Sequence, residues 1–258
     1  MKVVIFCGGS GTRLREETEF RPKPMVNIGT RPILWHLMKL YASQGFSDFV
    51  LALGYKGDMI KNYFVHYEVM NNDITIELGK PDCCVIHNSH PEAGWKITLA
   101  DTGEKAMKGA RLKRVENYID GDTFMVTYGD GLANIDLKAL LSYHKGHGKL
   151  ATVTGINPAS RFGVLKLSGD RVTSFQEKPS VPKGMVNGGF FVFKRGIFDY
   201  LSQDDDCDLE VGALEKIARD GELMTYRHTE FWACMDTQRD MEYLNELWSH
   251  GKAEWKRW

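Results

Sequence analysis

Several residues in this chain have types and spacings suited to work on phosphate. Gly8-Gly9-Ser10-Gly11-Thr12-Arg13 is a glycine loop, whose backbone N–H groups can approach phosphate oxygens closely. Arg13 closes the loop, and Lys23 stands between Pro22 and Pro24, which stiffen its segment. A transferring phosphoryl group spreads negative charge, so positioned cations are what its chemistry needs; Arg13 and Lys23 are the candidate catalytic residues. Two aspartates are candidate ligands for Mg²⁺, which favours one or two carboxylates plus substrate phosphates. They are Asp130, in Thr127-Tyr128-Gly129-Asp130-Gly131, and Asp236, in Phe231-Trp232-Ala233-Cys234-Met235-Asp236-Thr237. Each has a plainer reading, a turn residue for Asp130 and a helix N-cap for Asp236.

Two phosphate-binding designs do not fit the loop. A dinucleotide fingerprint starting at Gly9 would need a third glycine where Leu14 stands. A Walker A loop needs Gly-Lys-Ser/Thr, and here the run is Gly11-Thr12-Arg13.

Elements that could position these residues alternate along the first half. Val3–Cys7 is an apolar β-rich run ended by Gly8-Gly9, as a buried parallel strand should be. From Pro32 to Gln44, Ile33, Leu34, Leu37, Met38 and Tyr41 recur at helical spacing, with Gly45 at the end. Phe49–Leu53 reads as a strand, Met59–Tyr67 and Leu112–Ile119 as helices, Thr123–Tyr128 as a strand and Leu137–His144 as a helix. This order predicts an α/β fold, a Rossmann-like, mostly parallel sheet flanked by helices. Ligands bind such sheets at the carboxyl ends of the strands, where Gly8–Arg13 and Tyr128–Gly131 fall. After about residue 150, Ala151–Ile156, Gly163–Leu167, Val172–Glu177 and Gly189–Lys194 read as short strands, predicting a smaller antiparallel lobe. Helices return at Leu209–Arg219 and Asp240–Trp248, and no linker divides the chain, so one domain over 1–258 is expected.

The loop continued through Leu14, followed by Arg21-Pro22-Lys23-Pro24-Met25, resembles the signature of the sugar nucleotidyltransferase family. The resemblance implies that Gly8, Gly9, Ser10, Gly11, Thr12, Arg13, Lys23 and Gly129 bind the nucleotide. It implies that residues about 1–150 are a nucleotide-binding half and about 151–258 a sugar-binding half with the C-terminal helices. In Glu177-Lys178-Pro179 and Asn187-Gly188-Gly189, it assigns Lys178 to the sugar phosphate and Glu177 and Asn187 to sugar hydroxyls. Gly188 joins them in the implied sugar-phosphate-binding set, and Gly163 would let backbone approach the sugar.

Further runs look like the cytidylyltransferase branch of that family: Ile33–Lys39, Asp101-Thr102-Gly103, Gly109–Arg114, Thr127–Gly131 and Asn187–Val192. That likeness implies CTP and glucose 1-phosphate as substrates, CDP-glucose and pyrophosphate as products, and Thr102 and Arg111 near the cytosine. The sequence departs from the pattern at Cys7, where the family has alanine. It departs again at Cys207–Gly212, in place of Trp-Glu-x-Glu-Pro-Leu. The second departure falls in the sugar lobe or at an oligomer contact. A nucleotide-sugar binding subunit without turnover is the rival from another class; Arg13, Lys23, Asp130 and Asp236 together speak against it.

Composition excludes other classes. Of 258 residues 43% are hydrophobic and 26% charged, with a formal net charge of −1, so no global field points to nucleic acid or an anionic membrane. No apolar run approaches the ~20 residues of a membrane span, and no signal peptide is evident. Five cysteines without a C-x-x-C pair point to free thiols and a cytoplasmic protein. His87-x-x-His90 and His144-x-x-His147 lack further ligands at zinc spacing. Trp248, Trp255 and Trp258 are expected to cover a surface or a contact within a homo-oligomer.

Overall fold

A computed structural model of the chain describes residues 1–80, 84–157, 164–168, 170–176 and 184–258. At its centre lies an eight-stranded sheet. Its strands are β1 (Lys2–Cys7), β2 (Asp48–Leu53), β3 (Lys96–Asp101), β4 (Thr123–Tyr128), β5 (Ala151–Ile156), β6 (Val186–Asn187), β7 (Phe191–Lys194) and β8 (Leu223–His228). Their spatial order is β6-β5-β7-β4-β1-β2-β3, with β8 also paired to β5. β1 is parallel to β2 and β4, β2 to β3, and β5 to β8. Only β6 and β7 run against their neighbours. The expected mostly parallel α/β sheet is present.

β1 is buried along its whole length, because helices cover both faces and each successive side chain enters a different core. Val3, Ile5 and Cys7 pack with residues of α1 (Ile33–Ser43) and of α3 (Leu137–His147) and with Trp255. Val4 and Phe6 join the opposite core with Leu112 of α2 (Lys108–Arg114), Phe198 and Leu209. α1 is buried from Ile33 to Met38 and again at Leu40 and Tyr41, since the C-terminal tryptophans close its outer side. Trp255 is fully buried, and its indole N–H points at Nδ1 of His36, 3.4 Å away. Trp248 packs edge-on to the same imidazole.

The structure corrects the sequence reading in three places. Ala151–Ile156 and Phe191–Lys194 extend the main sheet as β5 and β7; both are largely buried and need neighbours on either side. Outside the main sheet, Val164–Ser168 pairs with Arg171–Gln176 as an antiparallel hairpin. The expected helix Leu209–Arg219 breaks at Val211 and Gly212, which leave helical geometry, and resumes at Glu215–Arg219. β3 and β8 carry mixed polar and apolar side chains with partial exposure, and neither is legible as a strand by hydrophobicity.

Candidate active site

β1 lies between β2 and β4, so the sheet order reverses there, and the loops after β1 and β4 diverge around a crevice at their carboxyl ends. A cavity of about 580 Å³ opens at that point, a size ordinary for a small-molecule site. Gly8, Gly9, Gly11, Thr12 and Arg13 line it, with Lys23, Arg111, Gly129, Asp130, Asn187, Gly188 and Asp236. Ser10 and Thr102 are not on its wall. Gly163, Glu177 and Lys178 lie outside the described residues.

The two aspartates meet because a short antiparallel ladder joins Gly131–Ala133 to Trp232–Cys234. Met235 N–H also donates to the Asp130 carbonyl at 2.9 Å. Lys23 brings its ammonium between the pair, 2.7 Å from Asp130 Oδ2 and hydrogen-bonded to Asp236 Oδ1. Arg13 reaches the remaining Asp236 oxygen at 2.9 Å. Burial alone would raise the Asp236 carboxyl pKa, but the Lys23 hydrogen bond and charge, with Arg13, outweigh it and hold the group below its usual value. By the same pairing, burial would lower Lys23, and Asp130 and Asp236 raise it instead. The cap of the last helix, α4 (Gln238–Ser249), belongs to Thr237, whose side chain forms a capping box with Asp240. Asp236 is therefore not spent as an N-cap.

Could these carboxylates hold Mg²⁺? One ammonium touches both, so one small cation could as well. Among the described residues no group of three or more His, Cys, Asp or Glu side chains is placed to hold a metal. A two-carboxylate donor set suits Mg²⁺, which keeps waters and takes phosphates. The thiols nearby add no charge. Burial, then the neighbouring aspartates, pushes Cys234 up to about 12, and burial raises Cys7 as well.

Arg111 is buried, 4% exposed, which removes it from any solvated helix face. Its NH1 donates to the carbonyls of Leu53 (2.9 Å) and Gly103 (2.7 Å) and to Thr102 Oγ1 (2.8 Å). Its NH2 donates to the carbonyls of Gly8 and Glu104, both at 3.0 Å. The guanidinium is thus turned onto the ends of β1, β2 and β3, tying the glycine loop to the loop after β3. The sequence expectation placed it near the base; it does line the cavity, and these bonds make it shape the wall there. Thr102 is 1% exposed and donates to Leu53 O at 2.5 Å, so it supports Arg111 from behind. A Cβ on Gly8 would come within 2.2 Å of Arg111 NH1, so a side chain there would force the held guanidinium to move.

Sequence reasoning missed Lys108, Tyr128, Asp208, Glu210, Trp232 and Cys234, all on the cavity wall. Tyr128 stood one residue from a quoted glycine and could have been found. Lys108 and Glu210 pair across a long stretch of chain, and no local spacing marks them.

The nucleotidyl transferase family model matches residues 2–237. The chain is 48% identical over 259 residues to glucose-1-phosphate cytidylyltransferase of Salmonella typhi, covering 100% of both. It is 45% identical over 258 residues to the probable glucose-1-phosphate cytidylyltransferase of Bacillus subtilis, again with 100% of each covered. Among solved structures, it shares the fold of HddC from Yersinia pseudotuberculosis complexed with GMP-PN. There the TM-score is 0.69 and the identity 23%, over 96% of this chain and 99% of that one. A UDP-glucose pyrophosphorylase complexed with UDP-glucose is equally similar in fold, with TM-score 0.69 and 15% identity over 97% and 98% of the two chains. Identity near one residue in two, sustained from end to end, reflects common descent: the chain belongs to the nucleotidyl transferase family.

Proposed function

We infer that this chain transfers a cytidylyl group from CTP to α-D-glucose 1-phosphate, giving CDP-glucose and pyrophosphate. The observation that carries the reading is the full-length identity to glucose-1-phosphate cytidylyltransferases. The gathering of Arg13, Lys23, Asp130 and Asp236 on one cavity wall supports it.

In this reading the Gly8–Arg13 loop cradles the triphosphate. An oxygen of the sugar phosphate attacks the α-phosphorus in line, and the bond from that phosphorus to the bridging oxygen breaks, releasing pyrophosphate. Arg13 and Lys23 offset the charge that builds on the phosphates. Lys178 positions the acceptor phosphate, Glu177 and Asn187 read sugar hydroxyls, and Gly163 and Gly188 let the sugar approach the backbone. No general base is needed, because the attacking phosphate already carries about −1.5 to −2 charges near neutrality. Asp130 and Asp236 would hold Mg²⁺, which when bound supplies Lewis-acid stabilisation of phosphate charge. Asp236→Asn should then weaken Mn²⁺ binding to the CTP complex, read by titration, and raise the Mg²⁺ needed for half-maximal rate.

A matrix of CTP, UTP and dTTP against sugar 1-phosphates, read by pyrophosphate release, tests the assignment. CTP with glucose 1-phosphate should lead by at least about 10² in kcat/KM, since a site paired to one base edge leaves groups unpaired against another. Equal values for CTP and UTP would sink the choice of nucleotide. Absence of turnover with every pair would leave a binding protein.

A further inference from the structure

A second polar group lines the cavity besides the Lys23 cluster. Asn187 Nδ2 donates to the Tyr128 hydroxyl at 2.9 Å, and that hydroxyl donates to Glu210 Oε1 at 2.6 Å. Lys108 Nζ also meets Glu210 Oε1, at 2.5 Å, and lies 5.3 Å from the centre of the Tyr128 ring. Glu210 Oε2, by contrast, is buried and has no hydrogen-bond partner among the described residues. A buried carboxylate oxygen without a donor is costly, and the Glu210 side chain that carries it lines the ligand cavity.

The local backbone fixes Glu210 there. Asp208 Oδ1 accepts the N–H groups of Glu210 and Val211, each at 2.8 Å. Gly212, at φ +103°, turns the chain so that the helix resumes only at Glu215. Lys108 is tied to the same segment, because Met107 N–H donates to Asp205 O and Ala110 N–H to Cys207 O.

The pair Lys108–Glu210 adds no net charge to a pocket built for anions. A carboxylate oxygen cannot receive a phosphate, but it can receive a neutral O–H. Tyr128 beside it and Trp232, which also lines the cavity, offer apolar ring surface to the C–H face of a sugar. We propose that Glu210, held by Tyr128 and Lys108, accepts a hydrogen bond from one hydroxyl of the sugar acceptor and thereby sets acceptor specificity. The proposal rests on the reading that the acceptor is glucose 1-phosphate.

The experiment compares the parent with Glu210→Gln, which keeps shape and loses the charge. Both are assayed with CTP and glucose 1-phosphate, then with the monodeoxyglucose 1-phosphates. No turnover by the parent would strike the functional reading itself. With an active parent, Glu210→Gln should raise the acceptor KM about tenfold while the CTP KM stays within about threefold. One monodeoxy acceptor should be penalised at least about tenfold in kcat/KM by the parent and less than about threefold by the variant. Tyr128→Phe, which keeps the ring, should reduce the same penalty, and carries the test if Glu210→Gln does not fold. An unchanged acceptor KM in a folded, active variant overturns the proposal. So does a rise confined to CTP, which would place Glu210 on the nucleotide.

Discussion

Lys23 spends its charge on two carboxylates, and that arrangement makes its contribution separable from its fold. Its side chain is only 12% exposed, so the ammonium cannot be replaced by water without rearrangement. Lys23→Ala should lower kcat by about 10²–10³, the scale of losing one preorganised charge at a phosphoryl centre. Steady-state kinetics on the folded variant checks this, and a kcat within threefold of the parent would take Lys23 out of the mechanism. Arg111 differs in kind. Its five hydrogen bonds run to oxygens of the protein itself. Arg111→Ala would empty a buried site and remove all five bonds, with the Leu53 and Gly8 carbonyls keeping donors in Thr102 and Tyr55, so urea denaturation should show a loss of about 3 kcal/mol. A stability unchanged within about 0.5 kcal/mol would mean the loops hold themselves.

At the scale of elements, the phosphate loop is shaped by what lies behind it. β1 delivers Gly8 against the Arg111 guanidinium, and Gly9 onto open space with nothing within 4 Å of a Cβ placed there. Gly8→Ala should therefore cost about 2–3 kcal/mol by overpacking a held group, whereas Gly9→Ala should stay within about 0.5 kcal/mol. Thermal melts of the two variants side by side decide it; equal melting points would show that Arg111 yields. The ladder between Gly131–Ala133 and Trp232–Cys234 plays the matching role for the aspartates. It is three residues long on each strand, yet it fixes which carboxylates face each other.

For the molecule as a whole, the C-terminal tryptophans seal α1 through His36. Burial, helped by the charges of Arg31 and Lys256 and only partly offset by the bond to Ile28 O, lowers His36 from 6.5 to about 4. A group whose folded pKa lies below its unfolded one makes the unfolded chain bind more protons between the two values. Stability is thus full above pH 6.5, falls as the pH drops toward 4, and levels off below. A gap of this size corresponds to about 3 kcal/mol. Burial lowers His144 to about 4 as well, with the same sign. Denaturation of the parent and of His36→Gln, which keeps a donor and an acceptor, at pH 7 and pH 4.5 tests the assignment. The variant should lose less stability across that interval; parallel curves would exonerate His36.

Residue chemistry and the central parallel strands could be read directly from the sequence. Gly8–Arg13, Lys23 and Asp130 carry strong local signatures, and β1, β2 and β4 are buried on both faces, so their hydrophobic runs are continuous. Edge strands β3 and β8 escaped because half-exposed strands mix polar and apolar residues. The burial of Arg111 could not be read either, since a basic residue in a basic run looks the same whether it faces water or five oxygens. Nor could any local pattern place Asp236 beside Asp130, or Glu210 beside Lys108 and Tyr128. Those meetings depend on a short ladder and a kinked turn that pair distant segments. Sequence periodicity reports which face of an element is buried; only the closed chain decides which buried groups share one cavity.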